Sequence, residues 1–378
     1  MKEFSRYGIL LKKGGANQMR RHFETITDTR QPWKTTHNLH EIVVMTICAV
    51  ISGCDIWEEI VDFCKVKEQW FRERLGLELA NGIASHDTFQ RIFQLINPDE
   101  MEKSFVSWVK SIAVKTKGEI ISIDGKTVCG SKDAESKAIH MVGAWANANQ
   151  LGLGQIKVDE KTNEITAIPM LLDLLDISDC IVTIDAMGCQ RNIAEKIINA
   201  QAGYVFGLKG NQSNLHDDVR LYFETMTVPE KTTTKEKSRN RVEIREYYLE
   251  TDIDWLSQKS DWKGIAAIGM VKSKVVEKGI VRTETRYFIT SLTDAEVFAK
   301  AVRAHWGIEN SLHWSLDVIF NEDKNRTRKD NSPENFSVIR RIALNVLRNF
   351  PIKMSLNRKR RKCHYDAEFM ADVLLSLF

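Results

Sequence analysis

Two aspartates stand where two apolar runs of the chain end. Asp124 closes the run Glu119-Ile-Ile-Ser-Ile-Asp124, and Asp185 closes the run Cys180-Ile-Val-Thr-Ile-Asp185. Each run is rich in β-branched residues and is predicted to be a buried strand. If the two strands are neighbours, the carboxylates converge at one edge of the sheet, where their mutual repulsion favours a divalent cation. Strand-terminal aspartates also begin turns or cap helices, and the residues alone leave both interpretations open.

Carboxylate oxygens are hard ligands, which select magnesium or manganese. Two such ions, roughly 3.5–4 Å apart, activate the attacking oxygen and stabilise the leaving oxygen in phosphoryl transfer. No serine, tyrosine or cysteine with an adjacent base stands out as a nucleophile in the sequence. The aspartate pair therefore predicts metal-dependent phosphoryl transfer without a covalent protein intermediate.

A third carboxylate, Glu309, lies in the segment His305-Trp-Gly-Ile-Glu309-Asn-Ser-Leu-His313-Trp-Ser-Leu-Asp317. Residues 305, 309, 313 and 317 recur every four positions, so a helix presents them on one face, at the border of its apolar stripe. The histidines on either side of Glu309 make a soft-metal site the competing interpretation. The zinc pattern H-E-x-x-H is absent from the sequence, which makes zinc hydrolysis the weaker of the two. A solvated surface glutamate is the simplest alternative.

The elements that must position these carboxylates change in character near residue 117. Residues 1–115 carry apolar side chains at helical spacing and are predicted to form an all-helical N-terminal domain. The likeness of residues 57–96 to a helix-turn-helix makes DNA binding the predicted role of this domain. Residues 116–350 alternate short β-rich runs with helices, which predicts an α/β catalytic domain with a mixed sheet. A β-rich insertion interrupts this domain at about 225–293. Residues 351–378 form a basic C-terminal tail in this interpretation.

Three local expectations refine this division of the chain. Residues 57–96 resemble a helix-turn-helix, with one helix predicted from about 56 to 75 and a second beginning after Ser85. The polar stretch 227–240 is predicted to be a loop. A single long helix is predicted from about Asp294 to Phe320.

The composition excludes several classes of protein. The chain has 378 residues, 43% of them hydrophobic and 28% charged, which is ordinary for a soluble globular protein. Its net charge is +3, so any nucleic-acid function must rest on where the basic residues lie. The seven scattered cysteines indicate reduced thiols, and residues 42–51, the most apolar helix, are too short to cross a bilayer. We expect a cytoplasmic protein with no membrane association.

The motifs together resemble those of a known family. The segments that carry the resemblance are Ile-Asp124-Gly-Lys126-Thr, Gly-Gln-Ile-Lys157 continuing to Pro169, Thr-Ile-Asp185-Ala-Met-Gly-Cys-Gln190, Leu-Lys209-Gly-Asn-Gln212 and His305-Trp-Gly-Ile-Glu309-Asn. They resemble the DDE transposases of bacterial insertion sequences, most closely the H-repeat-associated subfamily. Asn81-Gly-Ile-Ala-Ser85-His-Asp87-Thr-Phe-Gln-Arg91 resembles the helical domain associated with that family. The resemblance covers nearly the whole chain.

This resemblance implies a fold, an activity and a set of partners. It implies an RNase H-like catalytic domain in which Asp124, Asp185 and Glu309 are the catalytic residues and the ligands of two Mg²⁺ ions, with Mn²⁺ as a substitute. The implied reaction is DNA strand cleavage and strand transfer at insertion-sequence ends. The implied partners are double-stranded DNA, both ends and target, and a second copy of the chain in a synaptic homodimer. The implied location is the bacterial cytoplasm, associated with the nucleoid.

Basic and polar residues near these motifs are predicted DNA contacts. Lys126 and Lys209 follow strand-end motifs and are expected to face phosphates, with Gln212 beside them. The full predicted set is Lys126, Lys209, Gln212, Arg303, His305, His313, Arg358, Lys359, Arg360, Arg361 and Lys362. Two alternatives share these residues: a DNA-binding relative that no longer transposes, and a nuclease that cleaves without joining.

Overall fold

A computed structural model describes residues 21–114, 116–132, 137–158, 163–225, 231–238 and 241–376, together with the backbone of two short paired strands, Glu3–Phe4 (β1) and Leu10–Leu11 (β2). The N-terminal region is helical, as expected. Its helices are Leu39–Ile51 (α1), Trp57–Val66 (α2), Glu68–Leu75 (α3), His86–Leu95 (α4) and Pro98–Ile112 (α5).

Local residues account for the start and end of α1 and for the start of α5. The Asn38 side chain accepts hydrogen bonds from the backbone N–H groups of His40 and Glu41, which caps α1 at its start. Gly53, with φ of +96°, lets the chain turn away after α1. Asn97 caps α5 in the same way as Asn38 caps α1. These caps place five short helices where the apolar periodicity predicts helical structure.

The predicted helix-turn-helix is wrong. The helix expected over residues 56–75 is divided at Lys67 into α2 and α3, and ten residues separate α3 from α4. The N-cap position of α3 is Lys67, whose backbone departs from helical geometry, and α3 ends at Gly76 in a left-handed conformation. Helices α2 and α4 do pack on each other, but no short turn joins them.

A single nine-stranded sheet forms the centre of the molecule, in the order β5-β4-β3-β6-β7-β11-β10-β9-β8. Strands β3, β6 and β7 are parallel and the remaining pairs are antiparallel, which confirms the expected α/β domain with a mixed sheet. The strands of the first part are Ile120–Thr127 (β3), His140–Ala146 (β4), Leu151–Val158 (β5), Ile181–Ile184 (β6) and Gly203–Leu208 (β7).

Three helices cover one face of this sheet. They are Glu164–Leu174 (α6), Arg191–Asn199 (α7) and Ser213–Thr225 (α8). Their apolar residues join those of β3, β6 and β7 in one core. The buried residues of α8, Leu215, Val219 and Phe223, recur every four positions.

The insertion extends the same sheet. Its strands are Lys231–Ser238 (β8), Arg241–Glu250 (β9), Ala267–Glu277 (β10) and Ile280–Thr290 (β11). All four strands lie within the β-rich insertion predicted at about 225–293. The loop expected at 227–240 is wrong for residues 231–238, which form the edge strand β8; residues 226–230 and 239–240 lie outside the described residues. The edge position explains why this strand shows no apolar alternation.

The long C-terminal helix of the catalytic domain is not continuous. It consists of Ala295–Gly307 (α9), a π-helical turn at Ile308–His313, and Trp314–Val318 (α10). A π turn inserts one residue into a helix and is common at functional sites. The single helix expected from 294 to 320 is therefore wrong in its interior, at the position of Glu309.

The C-terminal segment is folded, which corrects the expectation of a basic tail. Helices Ser332–Asn349 (α11), Leu356–Tyr365 (α12) and Ala367–Leu375 (α13) pack with the N-terminal helices in one apolar core. The described parts of these two regions, residues 21–114 and 351–376, are thus not separate units, because their apolar side chains are buried against each other. Within the described residues, none of the helices has the length and apolar character to cross a membrane.

Candidate active site

Asp124 and Asp185 occupy matching positions on neighbouring parallel strands. Ile123 of β3 lies opposite Ile184 of β6, so the two aspartates are the next residues along. Asp124 lies within β3, which continues to Thr127, rather than at its end. The Asp185 carboxylate accepts hydrogen bonds from the backbone N–H groups of residues 187 (3.0 Å) and 188 (3.4 Å), which hold it at the turn after β6.

Glu309 reaches the same place from the π turn. Gly307, one residue before this turn, has no room for a β-carbon, because the Asn147 side chain fills that space. Asn147 is itself held by the Ser122 hydroxyl at 2.9 Å and by the Ile120 carbonyl at 2.9 Å. The glycine therefore allows the helix to approach β3 closely, two residues before Glu309.

His313 joins the two carboxylates from separate elements. Its Nδ1 lies 3.5 Å from a Glu309 oxygen and 3.7 Å from an Asp124 oxygen. One ligand atom from each of the three residues lies within 4.8 Å of the others. The His313 side chain is buried, and its Nε2 has no hydrogen-bond partner among the described residues.

The electrostatics of this group show excess negative charge. Burial raises the pKa of Asp124 to about 8, with further increases from the neighbouring carboxylates of Glu309 and Asp185. Burial also raises the pKa of Asp185. The contact with His313 lowers the pKa of Glu309.

The donor set fits a divalent cation. Two aspartate carboxylates and one glutamate carboxylate are hard oxygen ligands, and the raised pKa of Asp124 reports a buried negative charge that a cation would neutralise. The three carboxylates line one cleft of about 430 Å³, together with Lys209, Arg286 and Trp306. A soft-metal site with both histidines does not fit, because His305 contacts the Thr183 hydroxyl and is not part of the cluster formed by Asp124, Glu309 and His313.

His305 is held away from the cluster. Its Nδ1 lies 3.0 Å from the Thr183 hydroxyl, and burial lowers its pKa to about 4. The imidazole is therefore neutral at physiological pH and carries no charge for a phosphate, although it lines the cleft. Its predicted contact with DNA stays a prediction.

The predicted phosphate contact at Lys126 is wrong for a physical reason. Lys126 and Asp124 are two residues apart on β3 and share a face of the sheet. The Lys126 ammonium is buried and lies 2.7 Å from Asp317, 3.0 Å from Glu322 and 3.5 Å from Asp323. It neutralises buried acids instead of facing solvent.

Arg303 is also occupied within the protein. Its guanidinium donates two hydrogen bonds to the Glu236 carboxylate on β8, at 2.6 and 2.8 Å. The contact joins α9 to the edge of the insertion. The bidentate pair occupies Nε and Nη2 of Arg303, and its predicted contact with a phosphate stays a prediction.

Of the predicted pair Lys209 and Gln212, Lys209 lines the cleft. Lys209 is exposed after β7 and lines the cleft on the Asp185 side. The Gln212 amide donates to the Cys189 carbonyl at 3.0 Å, so it holds the loop that follows Asp185 rather than pointing freely outward. Their contact with DNA stays a prediction.

The basic residues of α12 divide into two groups. Arg358 and Arg361 are exposed, and Lys362 lies over the Phe369 ring at 4.6 Å. Lys359 and Arg360 are buried, which corrects their prediction as DNA contacts. The Lys359 ammonium donates to the carbonyls of residues 347 and 350, at 2.7 and 2.6 Å.

One cationic residue of the cleft, Arg286, is not among the predicted site residues. The Arg286 guanidinium, on β11, stacks over the Trp306 ring at 4.6 Å. Both side chains line the cleft that contains the three carboxylates. No signal in the local sequence of β11 places it there, because its position depends on the pairing of the insertion with β7.

Comparison with known families identifies the class of protein. Residues 115–346 match the family described as Transposase DDE domain, and residues 20–109 match the one described as DDE_Tnp_1-associated. The first match alone covers more than half of the chain. The chain therefore belongs to the DDE transposases, in the H-repeat-associated subfamily, and its sheet domain has the RNase H-like fold of that family.

Individual relatives agree with this assignment. The chain is 40% identical over 367 residues to "H repeat-associated putative transposase YhhI" of Escherichia coli strain K12, a match that covers 93% of this chain and 96% of the relative. It is also 40% identical to "Putative transposase YncI" of Escherichia coli O157:H7, with 94% of each chain covered. A third relative, "Uncharacterized protein in dhlA 3'region" of Xanthobacter autotrophicus, is 43% identical over 279 residues, 72% of this chain and 93% of the relative.

Proposed function

We propose that this protein cleaves DNA strands at the ends of an insertion sequence and joins them to target DNA, with Mg²⁺ as cofactor. The observation that carries the proposal is the convergence of Asp124, Asp185 and Glu309 in one cleft, from two strands and a π turn. Family membership supports the same reaction class.

The three carboxylates are the proposed ligands of two cations. Asp124 and Glu309 lie close enough to share one ion, with the His313 nitrogen beside them, and Asp185 lies on the adjacent strand. When bound, the cations activate an oxygen nucleophile and stabilise the leaving oxygen. Mn²⁺ is expected to replace Mg²⁺, because both accept carboxylate oxygens.

The protein itself supplies binding and orientation. Lys209 and Arg286 place positive charge in the cleft, where a phosphodiester would enter. The exposed Arg358 and Arg361 offer further backbone contacts on another surface. Such contacts position DNA without reading its sequence and weaken with added salt.

Transposition requires more than one DNA segment. We propose double-stranded ends and target as the substrates, and a homodimer as the assembly that holds two ends together. The helical region that includes α1 to α5 is the proposed partner for end recognition, and a cytoplasmic, nucleoid-associated protein is the expected form in the cell.

The test is an assay of a duplex that bears the element's ends, with Mg²⁺, for the wild-type chain and for Asp185→Asn. The variant should bind DNA and fail to cleave it, since it removes a metal ligand and preserves the side-chain shape. Asp217→Asn, at an exposed position of α8, is the matched control and should cleave as the wild type does.

The outcomes separate the proposal from its alternatives. Cleaved and joined products that depend on Asp185 support a transposase. Nicks without joined products would favour a nuclease, and binding without any cleavage would favour a relative that no longer transposes. Cleavage that persists in Asp185→Asn would contradict the proposed site.

A further inference from the structure

The outer part of the insertion has two different faces. In an antiparallel pair, residues directly opposite each other point to the same face of the sheet. Lys235 lies opposite Ile244, which lies opposite Lys274, which lies opposite Thr283. The neighbouring rows follow the same alternation without a bulge over residues 231–238, 241–248, 270–277 and 280–287.

One face collects lysines. We call it the lysine face and define it by its five lysines, which alternate with threonines and apolar residues: Lys231, Lys235, Lys237, Lys272 and Lys274. Within the rows given above, its one carboxylate is Glu246, which binds Lys231 at 2.5 Å. The lysine face therefore carries an excess of four positive charges.

The opposite face of the same strands is electrically balanced. It carries four arginines and four glutamates, which are Arg241, Arg245, Arg282, Arg286, Glu236, Glu243, Glu277 and Glu284. Most of these form ion pairs with one another, such as Arg245 with Glu243 at 2.5 Å and Arg286 with Glu284 at 2.7 Å. The two faces therefore differ in unpaired charge: the lysine face has an excess of positive charge, and the opposite face has none.

Apart from Lys231, which binds Glu246, the lysines are free to meet a partner. All five are exposed, and Lys235, Lys237 and Lys274 form no ion pair within the described part of the chain. Lys272 lies over the Tyr248 ring at 5.7 Å. The exposed hydroxyls of Thr233 and Thr283 stand between them as further hydrogen-bond donors. Thr285, opposite Lys272, also lines the cleft and lies where the two surfaces meet.

Protection of the sheet edge does not explain this arrangement. Lysines on an edge strand discourage pairing with another chain, which accounts for those of β8. Lys272 and Lys274 lie on β10, which is paired on both sides, by β9 and β11. Strands are about 4.8 Å apart, so Lys235 and Lys274 are about 10 Å from each other and repel.

We infer that the lysine face binds the phosphate backbone of duplex DNA, independently of sequence. Charge complementarity and the interleaved hydroxyls favour this partner, since phosphate is contacted by lysine and threonine side chains alike. The inference rests on the proposed function for its choice of nucleic acid.

The position of the face identifies which part of the DNA it binds. Asp124 and Arg286 lie on the other face of the sheet, where α9 packs and the cleft opens. The duplex on the lysine face is therefore a different segment from the strand in the cleft. It is held on the far side of the insertion.

The test compares two variants with equal loss of charge. Lys272→Glu/Lys274→Glu changes the lysine face, and Arg241→Glu/Arg282→Glu changes the exposed part of the balanced face by the same amount. Binding of a random-sequence duplex, by fluorescence anisotropy across a salt series, should weaken at least about tenfold for the lysine variant. The slope of log affinity against log salt concentration should decrease by the amount expected for about two phosphate contacts. The affinity of the arginine variant should stay within about threefold of the wild-type value.

A second variant and a cleavage assay make the result decisive. Lys272→Gln/Lys274→Gln removes the two positive charges without adding negative ones, and it should give an intermediate loss of affinity. This variant separates the loss of the lysines from repulsion by the introduced glutamates. Equal losses in the lysine and arginine variants, or none in either, would overturn the inference. If the wild type cleaves end-bearing DNA and the lysine variant binds random duplex normally, only this inference fails; absence of wild-type cleavage counts against the proposed function instead.

Discussion

The Lys126 ammonium lies 2.7 Å from the Asp317 carboxylate, and this contact joins the strand of Asp124 to the helix that follows Glu309. The Glu322 carboxylate, which is fully buried, lies 3.0 Å from the same ammonium and 3.6 Å from the Arg340 guanidinium. A buried ionic group beside the cleft thus joins the strand that carries Asp124 to the helix that follows the π turn of Glu309.

We expect Lys126→Met to destabilise the fold strongly. Removal of one partner of a buried ion pair leaves the other charges uncompensated and costs about 3–5 kcal/mol. Chemical denaturation, followed by circular dichroism, measures the change. Lys157→Met is the control, because its contact with Glu334 (3.6 Å) is partly exposed and should contribute less than about 1 kcal/mol. Equal stability of the two variants would contradict the role given to Lys126.

The basic segment of α12 gives a matched pair of substitutions. Arg360 is buried and donates to the carbonyls of Val50 and Ile319 and to the Asp55 carboxylate. Arg360→Met should therefore lower the free energy of unfolding by about 3 kcal/mol or more. Arg361→Met, one residue further at an exposed position, should change it by less than about 0.5 kcal/mol. A mobile tail would give two small effects.

Glu102 predicts how stability depends on pH. Burial raises its pKa to about 8 from an ordinary 4.5, although its carboxyl accepts the Gln155 backbone N–H at 2.8 Å. The folded state holds this proton more tightly than the unfolded chain does. The resulting stability is fully present below about pH 4.5 and is lost as the pH rises through about 8.

Glu102→Gln should remove this dependence. The amide keeps the acceptor oxygen and carries no charge, so the variant should exceed the wild type in stability at pH 9, on the order of a few kcal/mol. Thermal unfolding between pH 5 and pH 9 measures the difference. Glu58→Gln, at an exposed position of α2, is the control for loss of a surface carboxylate. A wild-type profile that stays flat over this range would contradict the burial of an ionisable Glu102.

His313 should contribute to cation affinity. Its Nδ1 lies between the Asp124 and Glu309 carboxylates, so His313→Gln should weaken Mn²⁺ binding about tenfold or more, as measured by calorimetry. His216→Gln is the control, because His216 lines the same cleft but packs edge-on against the Tyr287 ring. Unchanged affinity in both variants would exclude His313 from the cation site.

Local patterns predict the parts of the fold that are buried. The apolar runs that end near Asp124 and Asp185 are central strands, and their parallel pairing follows from the alternation of strands and helices. Helices α1 and α5 carry both apolar periodicity and an asparagine cap. In these segments the residues of one short stretch are sufficient to predict the secondary structure.

The remainder depends on residues far apart in sequence. Strand β8 is polar because it lies at the edge, so only its pairing with β9 distinguishes it from a loop. Lys126 and Arg360 resemble surface residues until the acids that surround them are known, and those acids are 191 or more residues away in the first case. The π turn likewise depends on the close approach of Gly307 to Asn147, which no local pattern encodes.

The most direct test of the central claim is anomalous diffraction from crystals soaked in Mn²⁺. We predict anomalous density between the carboxylates of Asp124 and Glu309 and beside Asp185, absent from crystals of Asp124→Asn prepared in the same way. Clear density elsewhere in the molecule, with none among these three carboxylates, would contradict a metal-dependent transferase centred on this cleft.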